Sequence, residues 1–168
     1  MMGVITMENK IENFKKALGN YPTGVTVVTA YNEENEPMGL TVNSFASVSL
    51  DPLLILWSID KRVSTYDAFL KADRFAVNIL ASDQGDLCNL FASRVPDRFG
   101  QCEWEKSDLA LPILKNTLST LQCKVHKMVE AGDHTIMIGE VLEIENTDQA
   151  PLLYHKRTFG PIPETFYK

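Results

Sequence analysis

The sequence Thr41-Val-Asn-Ser-Phe-Ala-Ser-Val-Ser-Leu-Asp-Pro52 leads directly into Leu53-Leu-Ile-Leu-Trp-Ser-Ile59, the most apolar run of the chain. The first stretch mixes hydroxyl and amide side chains with small or apolar ones, whereas the second is typical of a buried strand. A polar loop in front of a buried strand can present backbone N–H groups and hydroxyls to an anion or a heterocycle. A serine-rich turn before a core strand is the alternative interpretation, and the residue types alone do not decide between the two.

Six further segments have the composition or the alternation of β-strands. They are 25–29, 38–42, 74–80, 118–129, 134–145 and 152–155. Together with 53–59 they predict about seven strands, joined mostly by connections of hairpin length. Strands and helices do not alternate regularly, so the pattern favours a mainly β protein built as a closed or nearly closed antiparallel barrel.

Short helices are predicted at the ends of this barrel. Apolar residues recur at helical spacing within 7–18. The pair Ser64 and Asp67 resembles a capping box and predicts a second helix that continues to Ala72. Ser82 is the predicted N-cap of a third helix. Segment 93–111 has no periodicity and is predicted to be a long loop, which in a compact domain is usually functional or mobile.

The composition is that of a water-soluble globular protein of 168 residues, with 45% apolar and 23% charged residues. This length predicts a single domain over 1–168 with a core of about 10–160. The net charge of −6 argues against a nucleic-acid partner. No apolar run approaches the ~20 residues that a membrane span requires, and no signal pattern is visible, so a cytoplasmic location without membrane association is expected.

Familiar catalytic motifs are absent from the sequence. The chain has no glycine-rich nucleotide fingerprint and no serine-nucleophile elbow. Its three cysteines and three histidines lie at spacings that indicate no metal site. This favours a site in which a bound cofactor performs the chemistry.

Two places besides the 41–52 stretch are candidates for binding. The predicted helix start at Ser64 and Thr65 would favour a phosphate, and Lys61 and Arg62 precede it; a plain N-cap is the alternative. The sequence Gly132-Asp-His134 lies at a strand entrance. A hairpin tip explains its first two residues, whereas His134 is a candidate for ligand contact or merely a histidine at a strand end.

Taken in order, six motifs of the chain resemble the flavin reductase family, the small NAD(P)H:flavin oxidoreductases that serve two-component monooxygenases. The resemblance runs from about Phe14 to Phe159. The motifs are Tyr21-Pro-Thr-Gly-Val-Thr-Val-Val-Thr29, Thr41–Pro52, Ser58-Ile-Asp60 with Ser64, Phe75-Ala-Val-Asn-Ile-Leu80, Gln84 with Leu87, Phe91 and Ala92, and Gly132-Asp-His134 with Gly139-Glu-Val141.

The resemblance implies a flavin-binding split barrel that works as a homodimer with flavin near the subunit interface. FMN or FAD would be the flavin, NADH or NADPH the co-substrate, and a flavin-dependent monooxygenase a possible partner. His134 would lie beside the nicotinamide, with Tyr154 and Phe159 of the tail helping to close that pocket. The residues that the resemblance assigns to flavin are Thr23, Gly24, Val25, Thr26, Thr41, Val42, Asn43, Ser44, Ser47, Val48, Ser49, Ser58, Ser64, Thr65 and Phe91.

The expected reaction is hydride transfer from nicotinamide C4 to flavin N5. It needs stacked rings, exclusion of water and hydrogen bonds to the reduced flavin, but no protein nucleophile. Three other interpretations remain: a flavin-binding electron carrier without a nicotinamide site, another oxidoreductase on the same barrel such as a pyridoxine-phosphate oxidase relative, and a scaffold that has lost its ligand.

Overall fold

The computed structural model describes residues 6–167. Its three α-helices are α1 (Met7–Gly19), α2 (Tyr66–Lys71) and α3 (Gly85–Ala92), and two 3₁₀ turns cover Phe99–Gln101 and Glu164–Tyr167. The strands are β1 (Thr23–Gly24), β2 (Thr26–Tyr31), β3 (Pro37–Val42), β4 (Ala46–Leu50), β5 (Leu53–Asp60), β6 (Arg74–Ile79), β7 (Trp104–Lys106), β8 (Pro112–Leu114), β9 (Ser119–Ala131), β10 (His134–Asn146), β11 (Leu152–His155) and β12 (Thr158–Pro161).

Seven of the strands form one antiparallel sheet in the order β3-β2-β6-β9-β10-β5-β4. A three-stranded sheet, β1-β11-β12, and a two-stranded ribbon, β7-β8, complete the β-structure of residues 6–167. The β9–β10 hairpin turns at Gly132, whose φ of +64° suits glycine, and this turn places His134 at the first position of β10.

The large sheet encloses an aromatic core. Alternate residues of β5 point inward, and the Trp57 ring meets Phe69 of α2 and Phe75 of β6 edge-on, with centroids 5.3 and 5.7 Å apart. Such pairs add to the free energy gained from burying the rings. A second cluster lies under α3, where Phe91 and Phe99 are 5.1 Å apart in the same geometry.

All seven predicted strands are confirmed, but five short strands and some helix boundaries differ from expectation. Ala46–Leu50, within the predicted polar loop, forms edge strand β4 against β5. Segment 93–111 contains a 3₁₀ turn and β7 rather than only loop. Short edge strands of this kind depend on backbone pairing with a neighbour, which side-chain periodicity does not reveal.

Both predicted helix caps are wrong. Helix α3 begins at Gly85, because Gln84 occupies the N-cap position and its side chain accepts a 3.0 Å hydrogen bond from the Ala81 N–H, which holds 81–84 as a turn. Helix α2 begins at Tyr66, so Thr65 rather than Ser64 precedes it, and Thr65 makes no side-chain capping bond.

Helix α1 is amphipathic but buries no residue against the rest of the described chain. Its apolar side chains Met7, Ile11, Phe14 and Leu18 are all exposed. None of the helices within residues 6–167 is long and apolar enough to cross a membrane.

Candidate functional site

A cleft between α2 and α3, which we call the arginine cleft, has a volume of about 710 Å³. It brings Ser64, Thr65 and Phe91, three predicted flavin ligands, to one place. Its lining residues are Leu40, Asp60, Arg62, Val63, Ser64, Thr65, Phe91, Ala92, Ser93, Arg94 and Arg98. Three guanidinium groups against a single carboxylate make this cleft suited to an anion.

The three arginines of the cleft differ in what they already bind. Arg62 pairs with Asp60 through Nη2 and Oδ2 at 2.6 Å. Arg98 donates to the Gly39 carbonyl at 2.9 Å and to the Ser93 carbonyl, and so ties β3 to the segment after α3. Arg94 is exposed and forms no hydrogen bond or ion pair with the residues that the structure describes. Arg94 is therefore the cation available to a phosphate.

The Arg62 hydrogen bond also fixes the charge of Asp60. That bond lowers the pKa of the Asp60 carboxyl well below its usual range, so the side chain stays ionised at neutral pH. Asp60 consequently neutralises part of the Arg62 charge and leaves Arg94 and Arg98 as the net cations of the cleft.

Sequence reasoning missed Arg94 and Arg98. Both lie in the segment that was predicted only as loop, immediately after α3. The one signal in the sequence is position, because Arg94 follows Ala92 by two residues, where the chain leaves a predicted helix that carries the predicted ligand Phe91.

The hydroxyls of the 41–49 region mostly hold the fold together. Thr41 Oγ1 donates to the Cys88 carbonyl at 2.8 Å, and Thr26 Oγ1 donates to the Val42 carbonyl at 3.0 Å. Ser44 Oγ accepts from the Ser58 N–H at 2.9 Å. Two of these bonds join predicted flavin ligands to each other, Thr26 to Val42 and Ser44 to Ser58, but none of the bonded residues lines the arginine cleft. Ser49 is half-buried, and the side chains of Asn43, Ser47 and Val48 are exposed.

Strand β1 lies beside the C-terminal hairpin. Thr23 pairs with Tyr154, and the Thr23 hydroxyl is buried without a hydrogen-bond partner among residues 6–167. A buried unpaired hydroxyl is costly, and a ligand can satisfy it. Gly24 next to it is exposed, whereas Val25 and Thr26 are buried.

Tyr154 and Phe159 pack against the second core cluster rather than in the arginine cleft. Phe159 lies so close to the start of α3 that a Cβ added to Gly85 would approach its ring to 2.5 Å. Their predicted part in closing a nicotinamide pocket stays a prediction.

His134 is connected to the arginine cleft across two strands. It pairs with Asp60 in the β10–β5 register, and Asp60 lines the cleft. The His134 side chain is 41% exposed, and its Nδ1 lies 2.7 Å from the Asp133 carboxylate. That hydrogen bond lowers the pKa of Asp133. With Nδ1 held in this way, Nε2 is the ring nitrogen that keeps no hydrogen-bond partner among residues 6–167.

Within the described part of the chain, no group of three or more His, Cys, Asp and Glu side chains is placed to hold a metal ion. The features that remain are cations, hydroxyls and one oriented imidazole. Such a set is suited to binding and positioning ligands.

The family model described as "Flavin reductase like domain" matches residues 18–163. The reductase component of the flavin-dependent trigonelline monooxygenase of Acinetobacter baylyi is 44% identical over 151 residues, which is 90% of this chain and 49% of that protein. The chain thus spans about half of that relative. The FMN reductase (NADH) SmoA of Agrobacterium fabrum is 45% identical over 148 residues, 88% of this chain and 84% of SmoA.

Solved structures agree in fold. The NADH:FAD oxidoreductase SgcE6 of Streptomyces globisporus, in complex with NAD and FAD fragments, superposes with a TM-score of 0.88 at 30% identity and covers 96% of this chain and 97% of its own. The flavin reductase PheA2 superposes with a TM-score of 0.83 at 36% identity, over 91% and 98% of the two chains. The mainly β, antiparallel split-barrel fold class is confirmed. The chain belongs to the family of flavin reductase like domains.

Proposed function

We propose that this protein is an NAD(P)H-dependent flavin reductase whose arginine cleft holds the phosphate of FMN or FAD. The observation that carries the proposal is this cationic cleft, in which Arg94 has no partner among residues 6–167, in a chain of the flavin reductase family. When bound, the reduced nicotinamide supplies a hydride and the flavin ring accepts it.

The residues of the chain fit a flavin in two respects. Arg94, Ser64 and Thr65 supply a charge and hydroxyl donors to a phosphate. The buried, unpaired Thr23 hydroxyl offers a hydrogen bond at the neighbouring small sheet. The family resemblance assigns 23–28 and 41–49 to the flavin ring and the ribityl chain. In this proposal Thr26, Thr41 and Ser44 contact the flavin through their backbone groups, because their hydroxyls already have partners.

His134 positions the nicotinamide in this proposal and does not act as a nucleophile or a general base. Asp133 orients the imidazole, and Nε2 then bonds to the carboxamide of the co-substrate. NADH is the co-substrate named for SmoA, which supports NADH over NADPH for this chain.

A single domain over 1–168, a homodimer and an oxygenase partner complete the proposal. Several relatives are reductase components of monooxygenases, among them the trigonelline enzyme of A. baylyi, which supports delivery of reduced flavin to an oxygenase. The exposed apolar residues of α1 and β4 offer a surface that a second copy would cover.

The decisive experiment is oxidation of NADH and of NADPH by the purified protein with FMN, FAD or riboflavin added. Oxidation that requires added flavin supports a reductase. Flavin binding without nucleotide oxidation would instead show an electron carrier, and the absence of both would overturn the proposal.

The Arg94→Gln variant tests the phosphate site directly. Loss of a charge-assisted hydrogen bond is worth ~1.5–3 kcal/mol, so the affinity for FMN should fall by about 10- to 100-fold. Riboflavin has no phosphate and should bind Arg94→Gln as it binds the wild type. Lys127→Gln removes an equal charge from an exposed position outside the cleft and should change neither affinity. An equal loss for riboflavin and FMN would contradict the assignment.

A further inference from the structure

A second cleft of about 450 Å³ adjoins the arginine cleft and shares Thr65 and Arg98 with it. We call it the acidic cleft. It lies between the β2–β3 hairpin and the segment after α3, and its other lining residues include Glu36, Pro37, Met38, Val95, Asp97 and Phe99. Because Arg98 bonds to carbonyls of both β3 and the post-α3 segment, its guanidinium forms the boundary between the two clefts.

The two clefts differ in charge. The arginine cleft sets Arg62, Arg94 and Arg98 against Asp60, whereas the acidic cleft carries Glu36 and Asp97, and Arg98 is its one cationic residue. Carboxylates repel a phosphate but accept hydrogen bonds from hydroxyl and amino groups. A neutral group with hydroxyl donors therefore suits the acidic cleft.

The acidic cleft also offers apolar surface. Val95 is 41% exposed, although it is branched and apolar, and Pro37 is half-buried. The contact of such side chains with a flat ring removes apolar area from water and is favourable.

We infer that the acidic cleft is the subsite for the adenosine half of FAD. The inference rests on the proposed function, which puts the flavin phosphate in the arginine cleft. In FAD the phosphates are bonded to a neutral adenosine. In this protein the cationic arginine cleft adjoins the acidic cleft, which also offers apolar surface, so the order of the two clefts matches the order of the two parts of the ligand. Glu36 accepts a hydrogen bond from the ribose, and Val95 packs on the adenine ring.

Glu36 is the carboxylate of the acidic cleft that can accept a further hydrogen bond. Asp97 accepts a 3.0 Å hydrogen bond from the Gly100 N–H and so supports the 3₁₀ turn that follows. Glu36 makes a longer contact, 3.4 Å from Oε2 to Asn32 Nδ2. Glu34 on the same hairpin makes a similar contact with Asn32 at 3.3 Å but lies outside the cleft. Glu34 thus provides a matched control.

The test compares dissociation constants of FAD, FMN and riboflavin, measured by quenching of flavin fluorescence on the wild type and on three variants. The wild type should bind FAD about tenfold more tightly than FMN. Glu36→Ala should raise the dissociation constant of FAD by about three- to tenfold and leave that of FMN unchanged. Val95→Ser should weaken FAD by a smaller factor with FMN again unchanged. Glu34→Ala should affect neither flavin.

Equal affinities of the wild type for FAD and FMN would overturn the inference, and so would variants that weaken both flavins equally. FMN binding that persists in these cases would leave the proposed function standing, whereas failure of every flavin to bind would remove both.

The pyridine nucleotide also contains adenosine, so KM for NADH is measured in parallel with saturating FMN. A rise in that KM for Glu36→Ala with unchanged FAD affinity would overturn the assignment to FAD.

Discussion

At the scale of single residues, the hydrogen bond between Asp133 and His134 is the contact most directly tied to the proposed chemistry. This hydrogen bond is 2.7 Å long and fixes the position of His134 Nδ1. The turn at Gly132 fixes the backbone that carries both side chains. The imidazole thus needs little reorganisation when it meets a ligand, which is how a positioning group contributes to rate.

The first prediction concerns His134. His134→Ala should raise KM for the pyridine nucleotide by about tenfold or more, because one hydrogen bond to the co-substrate is lost, and should leave the flavin dissociation constant unchanged. His134→Gln keeps a side chain that can hydrogen-bond and should recover part of the loss. Steady-state kinetics and stopped-flow hydride transfer measure both effects, and unchanged KM and hydride-transfer rate in His134→Ala would reject this role.

The second prediction concerns Cys123, a buried thiol of β9 next to Gly139 of β10. Burial raises the pKa of Cys123 to about 12. The unfolded chain releases this proton near the ordinary thiol value of ~8.5, so the free energy of unfolding should fall as pH rises from about 8.5 towards the folded pKa and stay unaffected below it. Urea unfolding at a series of pH values measures the slope.

Cys123→Ala is the control for that slope. The variant should be less stable at pH 7 but should lose stability less steeply above pH 8.5, since the thiol is gone. An identical slope in the variant and the wild type would mean that other groups cause the alkaline loss.

At the scale of secondary-structure elements, α3 packs closely on β3 at Gly39. A Cβ added to Gly39 would lie 2.5 Å from the buried ring of Phe91, so only glycine allows the helix to lie this near to the strand. The same helix ends beside the arginine cleft, and its distance from β3 therefore affects where Arg94 lies.

The third prediction follows from this approach. Gly39→Ala should cost about 1–3 kcal/mol in the free energy of unfolding, because the Phe91 ring must move. Adding Phe91→Leu should relieve part of the clash, so that the double variant is more stable than the sum of the single losses indicates. Gly160→Ala has no neighbour within 4 Å and should be nearly neutral. Additive losses would show that the two positions do not interact.

Much of the element pattern was predictable because it follows from burial. The inward-facing residues of β5 and the long alternation of β9 and β10 carry a clear period. Strand β4 was not predictable, since Ser47 and Ser49 are polar and the strand exists through its pairing with β5. The start of α3 was predicted at the wrong residue because the Ser82 hydroxyl is typical of an N-cap. The N-cap is Gln84 instead, and its side chain bonds to the Ala81 N–H.

The candidate site was predictable where the predicted helix start indicated Ser64 and Thr65 and where the resemblance added Phe91. Ser64, Thr65 and Phe91 indeed line one cleft. Arg94 and Arg98 lie near these residues because the post-α3 segment packs on β3. The spacing of apolar residues in the sequence does not predict such a long-range contact. The use of the Thr41 and Ser44 hydroxyls as structural donors and acceptors was likewise invisible in the residue types.

At the scale of the whole molecule, one edge of the large sheet exposes apolar side chains. Val48 and Leu50 of β4 are exposed, Leu50 to 88%, and β4 is an edge of the large sheet. An exposed edge strand with apolar side chains invites pairing or covering by another chain.

The fourth prediction is that a second copy covers this edge. Leu50→Asp should shift the protein from dimer to monomer at micromolar concentration, since a carboxylate buried in an apolar interface is costly, whereas Leu50→Met should remain a dimer. Light scattering coupled to size-exclusion chromatography measures the mass of each variant. A dimeric Leu50→Asp would exclude this end of β4 from the interface.

Helix α1 has thirteen residues and buries none of them within the described chain. Isolated helices of about 12–15 residues are marginal in water, so tertiary cover decides whether such a helix persists. If the second copy provides that cover, dilution should unwind α1 while the barrel stays intact. Trypsin should then cut after Lys10, Lys15 and Lys16 at a rate that rises as the protein is diluted. The rate of cleavage within α1 would therefore report the fraction of the protein that is monomeric.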